Sequence, residues 1–182
     1  NQIEINKNKN IIIVLSALYQ ITNHLLEIIE NNDNYQKAFI TIIKNHQKLL
    51  IELELSCTII DDLINELNDN ITKYRKNHSN HMVIPIILSY GEKLSTLILY
   101  KYLQKRNLEI KLINGDDIIK TKNSINDMYN KYYMKGTFYC DDKIIDYMKN
   151  NKIIITQGFV GRTIDNHICT LTRGGSDTTA AL

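Results

Sequence analysis

The chain has 182 residues, with Lys plus Arg at 22 and Asp plus Glu at 20 for a formal net charge of +2, a length that suits one domain and a balance that argues against a dedicated nucleic-acid or membrane-surface binder. Its 43% hydrophobic and 23% charged content is that of a globular protein rather than a disordered one, and no run approaches the roughly 20 apolar residues of a membrane span. Three widely spaced cysteines (Cys57, Cys140 and Cys169) predict no disulfide framework and a reducing, cytoplasmic setting.

Residues 1–10 form a polar stretch. Ile11–Leu15 is a β-branched run that predicts a buried parallel strand. A polar turn leads from it into a helix over about Thr22 to Glu30. From Tyr35 to about Lys76 apolar residues recur at three- and four-residue spacing, as a helical hairpin requires. Pro85 fits the first turn of a helix starting near Val83 and running to about Leu103. Leu108–Ile113 alternates as a strand and is closed by Asn114-Gly115. Lys120–Cys140 reads as Tyr-rich and irregular. A short helix over Asp141–Lys149, a strand over Lys152–Thr156 and a glycine-marked loop over Gly158–Gly175 follow. Strands alternating with helices predict an α/β fold with a mainly parallel sheet. The chain opens on Asn rather than Met and stops while Thr179–Leu182 still reads as helix, as a piece of a longer protein would.

Ile, Asn and Lys number 32, 22 and 18. Against that bias the 7 glycines are informative, and five of them fall in three short clusters. Thr172-Arg173-Gly174-Gly175-Ser176-Asp177 reads as a helix start. Ser176 and Asp177 are favourable caps, the glycines permit close backbone approach, and Arg173 either offers a planar fork for a carboxylate or phosphate or is a solvated side chain beside the helix start. In Gly91-Glu92-Lys93-Leu94-Ser95 the carboxylate stands at the start of an apolar helix, where the dipole alone can account for it; the functional alternative has Glu92 bind an ammonium group in a pocket. Ser16 and Thr22 flank the turn after the first strand, where open α/β sheets bind ligands, although a hydroxyl turn and a cap at Thr22 explain them equally. Thr156-Gln157-Gly158-Phe159-Val160-Gly161 leaves another strand end, and Phe159 either covers a ligand or plugs the core. His167-x-Cys169 lacks partners for a metal site. The acidic pairs at 61–62, 116–117 and 141–142 stand at expected helix starts, and tyrosines 129, 132, 133 and 139 read as loop packing rather than base stacking.

Taken in order, Ile-Val-Leu-Ser-Ala-x-x-x-Ile-Thr-Asn, Gly-Glu-x-Leu-Ser, Ile-Thr-Gln-Gly-Phe-Val-Gly and Arg-Gly-Gly-Ser-Asp-x-Thr-Ala-Ala-Leu resemble the aspartate kinases of the amino-acid kinase fold, from about Ile11 to Leu182. The likeness is greater to the single-function kinases than to those fused to homoserine dehydrogenase. The resemblance implies a three-layer α/β/α architecture, with residues 11–182 forming the N-terminal substrate lobe. It also implies transfer of the γ-phosphate of Mg2+-bound ATP to the side-chain carboxylate of L-aspartate, the first step towards lysine, threonine and methionine. By the family pattern Arg173 clamps a substrate carboxylate and Glu92 binds the α-ammonium. Ser16, Thr22, Phe159, Gly174, Gly175 and Ser176 complete the pocket, and Asp177 organises catalytic lysines. The family's opening Lys-Phe-Gly-Gly-Thr-Ser segment has no counterpart, and its nucleotide-binding half and regulatory ACT domains are expected beyond Leu182; a homodimer is the family expectation for the complete enzyme. The chain taken alone is expected to be inactive. Gln20, Thr172 and Asn166 stand where the family has Gly. Two other readings are a non-catalytic remnant that acts as an assembly or regulatory partner, and an amino-acid kinase with another substrate.

Overall fold

A computed structural model describes residues 10–30, 35–128, 130–134, 136–172 and 174–182; of the polar stretch expected over 1–10, all but Asn10 lies outside the described residues. Strand β1 (Ile11–Leu15) leads through a turn into α1 (Ile21–Glu30). Helices α2 (Tyr35–Glu52) and α3 (Asp61–Lys76) flank a 3-10 turn at Cys57–Ile60, and α4 (Val83–Lys105) follows, with Pro85 in its first turn where an amide N–H has no helical partner to lose. The second half comprises β2 (Lys111–Ile113), α5 (Gly115–Ile118), β3 (Ile119–Thr121), a 3-10 turn at Ile125–Asp127, β4 (Phe138–Cys140) and α6 (Lys143–Asn150). It closes with β5 (Ile153–Gln157), β6 (Val160–Arg162), β7 (Ile168–Thr170) and α7 (Gly175–Ala181).

The strands form two sheets. The first is parallel, in the order β1-β5-β2, with Ile11 opposite Ile153 and Leu15 opposite Gln157 on one side of β5, and Ile113 opposite Thr156 on the other. Its central strand β5 is buried along four of its five residues, as a β-branched run flanked by two neighbours should be. The second sheet, in the order β4-β3-β6-β7, is mixed: β3 runs parallel to β6, whereas β3–β4 and β6–β7 are antiparallel. Only Gly158 and Phe159 separate β5 from β6, so the chain changes sheets at that point.

Helix α4 is buried on nearly every side and α6 has no fully buried residue, whereas α1 and α2 each bury one stripe. In α1 it is Ile21, Leu25, Ile28 and Ile29; in α2 it is Ala38, Ile42, His46 and Leu50. Tyr35–Lys76 does not fold back on itself as one hairpin. Instead α2 packs on α1, and α3 packs on α4. Helix α4 lies against β1, β5 and β7 as well, so it serves both sheets. By length and apolar content α4 passes for a membrane-crossing helix, contrary to the expectation that no segment approaches one. Yet 72% of its most apolar window is buried inside the fold, which makes it a core helix.

Local differences from the sequence reading have local causes. Only residues 111–113 of the expected strand 108–113 pair with β5. The region 120–140, expected to be irregular, supplies part of β3 and all of β4, three-residue strands too short to show a period. The acidic pair at 61–62 lies in the first turn of α3 and the pair at 116–117 in that of α5. Asp116 does more than cap: it is buried and ion-paired with Arg162 of β6.

Candidate active site

The loops after β1 and β5, the middle of α4 and the start of α7 converge on a cleft of about 290 Å3. Parallel pairing causes this convergence, because β1 and β5 point the same way and their carboxyl ends emerge side by side. The Gly158 amide donates to the Leu15 carbonyl at 2.8 Å and ties the two exits together.

Glu92 is the most informative residue of the cleft. It is the tenth residue of the 23-residue α4, far from the terminus where a dipole would favour a carboxylate, so the expected position at a helix start is corrected. It lines the cleft at 3% exposure. Oε1 accepts the Ala17 amide at 3.3 Å, while Oε2 has no hydrogen-bond partner among the described residues. Burial pushes the Glu92 carboxyl up to about 8, its own amide and that of Ala17 offsetting part of the rise. The turn carrying Ser16 is pinned to the same stretch of helix: the Ser95 hydroxyl donates to the Ser16 carbonyl at 2.7 Å. Gly91 makes the approach possible, since a Cβ there would stand 2.8 Å from that of Ala17.

Ser16 and Thr22 both reach the cleft. Thr22 is not a cap, because α1 already starts at Ile21, and its hydroxyl makes no hydrogen bond with any described residue. The turn before it holds Gln20 at φ 66, where the family pattern has Gly. Phe159 also sits at a positive φ of 65, buried at the crossing between sheets, with its amide donating to Thr179 Oγ1 at 3.3 Å. Backbone strain of this kind concentrates where a side chain must be aimed.

Gly174, Gly175, Ser176 and Asp177 form the opposite wall. Ser176 and Asp177 were expected as caps, but α7 begins at Gly175 with Gly174 in the capping position at φ 79, so both lie within its first turn. This turn sits tightly on the end of β5: a Cβ on Gly158 would stand 2.6 Å from that of Ser176. Arg173 lies outside the described residues, as does Tyr129.

Of the nine residues singled out from the sequence, Ser16, Thr22, Glu92, Phe159, Gly174, Gly175, Ser176 and Asp177 therefore share one cleft. Sequence reasoning missed three more that line it: Ala17, Asn23 and Tyr133. Ala17 and Asn23 stand inside the quoted motif after β1 and were legible there. Tyr133 carried no signal beyond a run of tyrosines. Its ring meets that of Phe159 edge-on at 6.1 Å. Among the described residues, no group of three or more His, Cys, Asp or Glu side chains is arranged to hold a metal ion.

Chemically, the cleft offers a buried carboxylic acid with one unused oxygen, hydroxyls and an amide for hydrogen bonding, and an aromatic wall. Such a set suits a small zwitterion whose ammonium group replaces the proton on Glu92.

The amino acid kinase family model matches residues 2–182. Lysine-sensitive aspartokinase 3 of Escherichia coli (strain K12) is 27% identical over 179 residues, covering 94% of this chain and 38% of that protein. A bifunctional aspartokinase/homoserine dehydrogenase of Buchnera aphidicola (subsp. Acyrthosiphon pisum, strain APS) is 30% identical over 207 residues, covering 98% of this chain and 23% of the relative. The crystal structure of E. coli aspartokinase III in complex with lysine and aspartate superposes with a TM-score of 0.71 at 25% identity, over 93% of this chain and 39% of that one. The chain thus spans less than two-fifths of the length of each of these three. A family match along nearly its whole length, on an α/β fold with the same architecture as a solved relative, establishes that this chain belongs to the amino acid kinase family.

Proposed function

We propose that this chain is the amino-acid-binding lobe of an aspartate kinase, which transfers the γ-phosphate of ATP to the side-chain carboxylate of L-aspartate to give 4-phospho-L-aspartate. The observation that carries the reading is Glu92: a carboxyl group buried in mid-helix, facing a cleft, with one oxygen unpartnered among the described residues. Burying such a group is costly unless a ligand completes it. In this reading the α-ammonium of aspartate pairs with Glu92, which gives up its proton as the cation arrives. The hydroxyls of Ser16, Thr22 and Ser176 and the backbone at Gly174–Gly175 hydrogen-bond the substrate carboxylates, Phe159 closes one side, and Arg173 clamps a carboxylate bidentately.

The acceptor is already ionised at neutral pH, because an aspartate side chain titrates near 3.9, so no general base is required. Its carboxylate oxygen forms the bond to the γ-phosphorus as the bond to the β-phosphate oxygen breaks, and ADP leaves. Catalysis is then positioning and charge stabilisation. Asp177 would orient the lysines that meet the phosphates, and Mg2+ arrives with ATP. The names of the relatives support this reading: both curated relatives are aspartokinases, and the solved one is described in complex with aspartate.

The test is steady-state kinetics on the full-length protein, with acyl phosphate trapped by hydroxylamine. Arg173→Ala and Glu92→Gln are each expected to raise KM for aspartate tenfold or more, equivalent to at least about 1.4 kcal/mol, with KM for ATP little changed. An unchanged KM for aspartate in both variants overturns the assignment.

A further inference from the structure

Tyr133 is the residue of the cleft that no motif accounts for. It stands in the Tyr-rich segment between β3 and β4, away from the loops after β1 and β5, the middle of α4 and the first turns of α1 and α7 that carry the other lining residues. That segment is fastened at several points. Asn130 Oδ1 accepts the amides of both Tyr132 and Tyr133, at 2.8 and 2.9 Å. The Met134 amide donates to the Thr170 carbonyl of β7 at 2.8 Å, and the Thr170 hydroxyl donates back to the Tyr132 carbonyl. Met134 is buried with Ile125 and Cys169 in a small core of its own, and the Tyr132 hydroxyl donates to Glu30 at the end of α1. Both neighbours of Tyr133 are thus fixed, one to the second sheet and one to α1 as well.

Tyr133 itself is left facing the cleft. Its ring leans edge-on against Phe159, and its hydroxyl makes no hydrogen bond with any described residue. An immobilised phenol keeps two torsions and one donor, which makes it an inexpensive ligand contact in terms of lost freedom. The described residues that line the cleft include no cation, so every hydroxyl that faces it counts towards binding an acidic amino acid.

We infer that Tyr133 is a further substrate-contacting residue, whose phenol hydroxyl donates a hydrogen bond to a carboxylate of the bound amino acid while its ring, with Phe159, walls the acceptor end from water. The inference rests on the reading of the cleft as the aspartate pocket. It adds to that pocket a contact from the β3–β4 connection.

Tyr133→Phe removes the donor and keeps the ring. In the full-length enzyme it is expected to raise KM for L-aspartate about tenfold or more, the worth of a hydrogen bond to a charged group, with kcat within threefold, KM for ATP unchanged and the melting temperature unmoved. Tyr133→Leu, which also removes the ring, is expected to weaken aspartate at least as far. An enzyme that uses aspartate but whose KM is the same in Tyr133→Phe overturns the contact and leaves the aspartate reading standing. A melting temperature that falls while KM stays constant overturns it too, by assigning Tyr133 to packing. A wild-type protein that neither binds nor phosphorylates aspartate overturns both.

Discussion

Glu92 and His46 are buried titratable groups whose costs to the fold oppose each other in pH. Burial raises the Glu92 carboxyl from its ordinary 4.5 to about 8, so the folded chain holds that proton more tightly than the unfolded one. Its contribution to stability is fully present below about 4.5 and is lost as pH rises towards 8. His46, fully buried in α2, donates from Nδ1 to the Ile42 carbonyl at 2.7 Å and has no partner for Nε2 among the described residues. Burial lowers its pKa below 6.5, the Ile42 bond opposing in part, so its contribution is present above 6.5 and is lost as pH falls. Urea unfolding across pH 4 to 9 without substrate should therefore show Glu92→Gln flattening the alkaline limb and His46→Leu flattening the acid limb. If neither substitution changes the profile, the orphaned atoms are satisfied in solution. At this scale the sequence was partly legible. Asn166 adopts φ 67, as its place in the family pattern implied, and Gln20 adopts φ 66 against its own preference. The burial of Glu92 was not legible, because the helix expected from near Val83 is apolar on almost every side and its sequence marks no one buried face.

Among the elements, α4 and the loop after β1 approach one another closely enough to allow only one methyl group between them. Gly91→Ala would place a Cβ 2.8 Å from the Ala17 Cβ and 3.4 Å from side-chain atoms of Ile21 and Leu25. The expected cost is about 1–3 kcal/mol of stability together with weaker aspartate binding, since Glu92 must move with the helix. Adding Ala17→Gly moves the missing space to the other partner and should recover much of both losses. A double variant no better than the single one shows that the contact is not what sets the spacing. Long elements announced themselves: β1, α1 and α4 lie where their apolar patterns put them, with ends shifted by two residues at most. Short ones did not. β3 and β4 owe their existence to partners in other parts of the chain, and nothing within three residues encodes a ladder. The start of α7 was misplaced for a related reason. Ser176 and Asp177 have side chains suited to capping, but Gly174, with no side chain, adopts the left-handed geometry and takes the position first.

At the scale of the whole molecule, the fold class followed from the alternation of strands and helices, and the cleft followed from four motifs in register. The division into two sheets did not. It depends on the two-residue crossing at Gly158–Phe159, which reads in sequence as an ordinary loop. The parallel pairing of β1 with β5 has a kinetic consequence. Ile11 must find Ile153, with nearly all of the structure lying between them. Closing so long an interval is entropically costly and slow, whereas α1–α2 and α3–α4 join neighbours in the chain and form early. Refolding should accordingly show helical signal rising well before the protein can bind amino acid, with binding competence appearing only in the slowest phase; simultaneous recovery of the two would contradict this order. During synthesis the same geometry makes the nascent chain wait. β1 leaves the ribosome as a run of Ile-Ile-Ile-Val-Leu, and its edge towards β5 stays open to chaperones and to other chains until the strand that completes this ladder has been made.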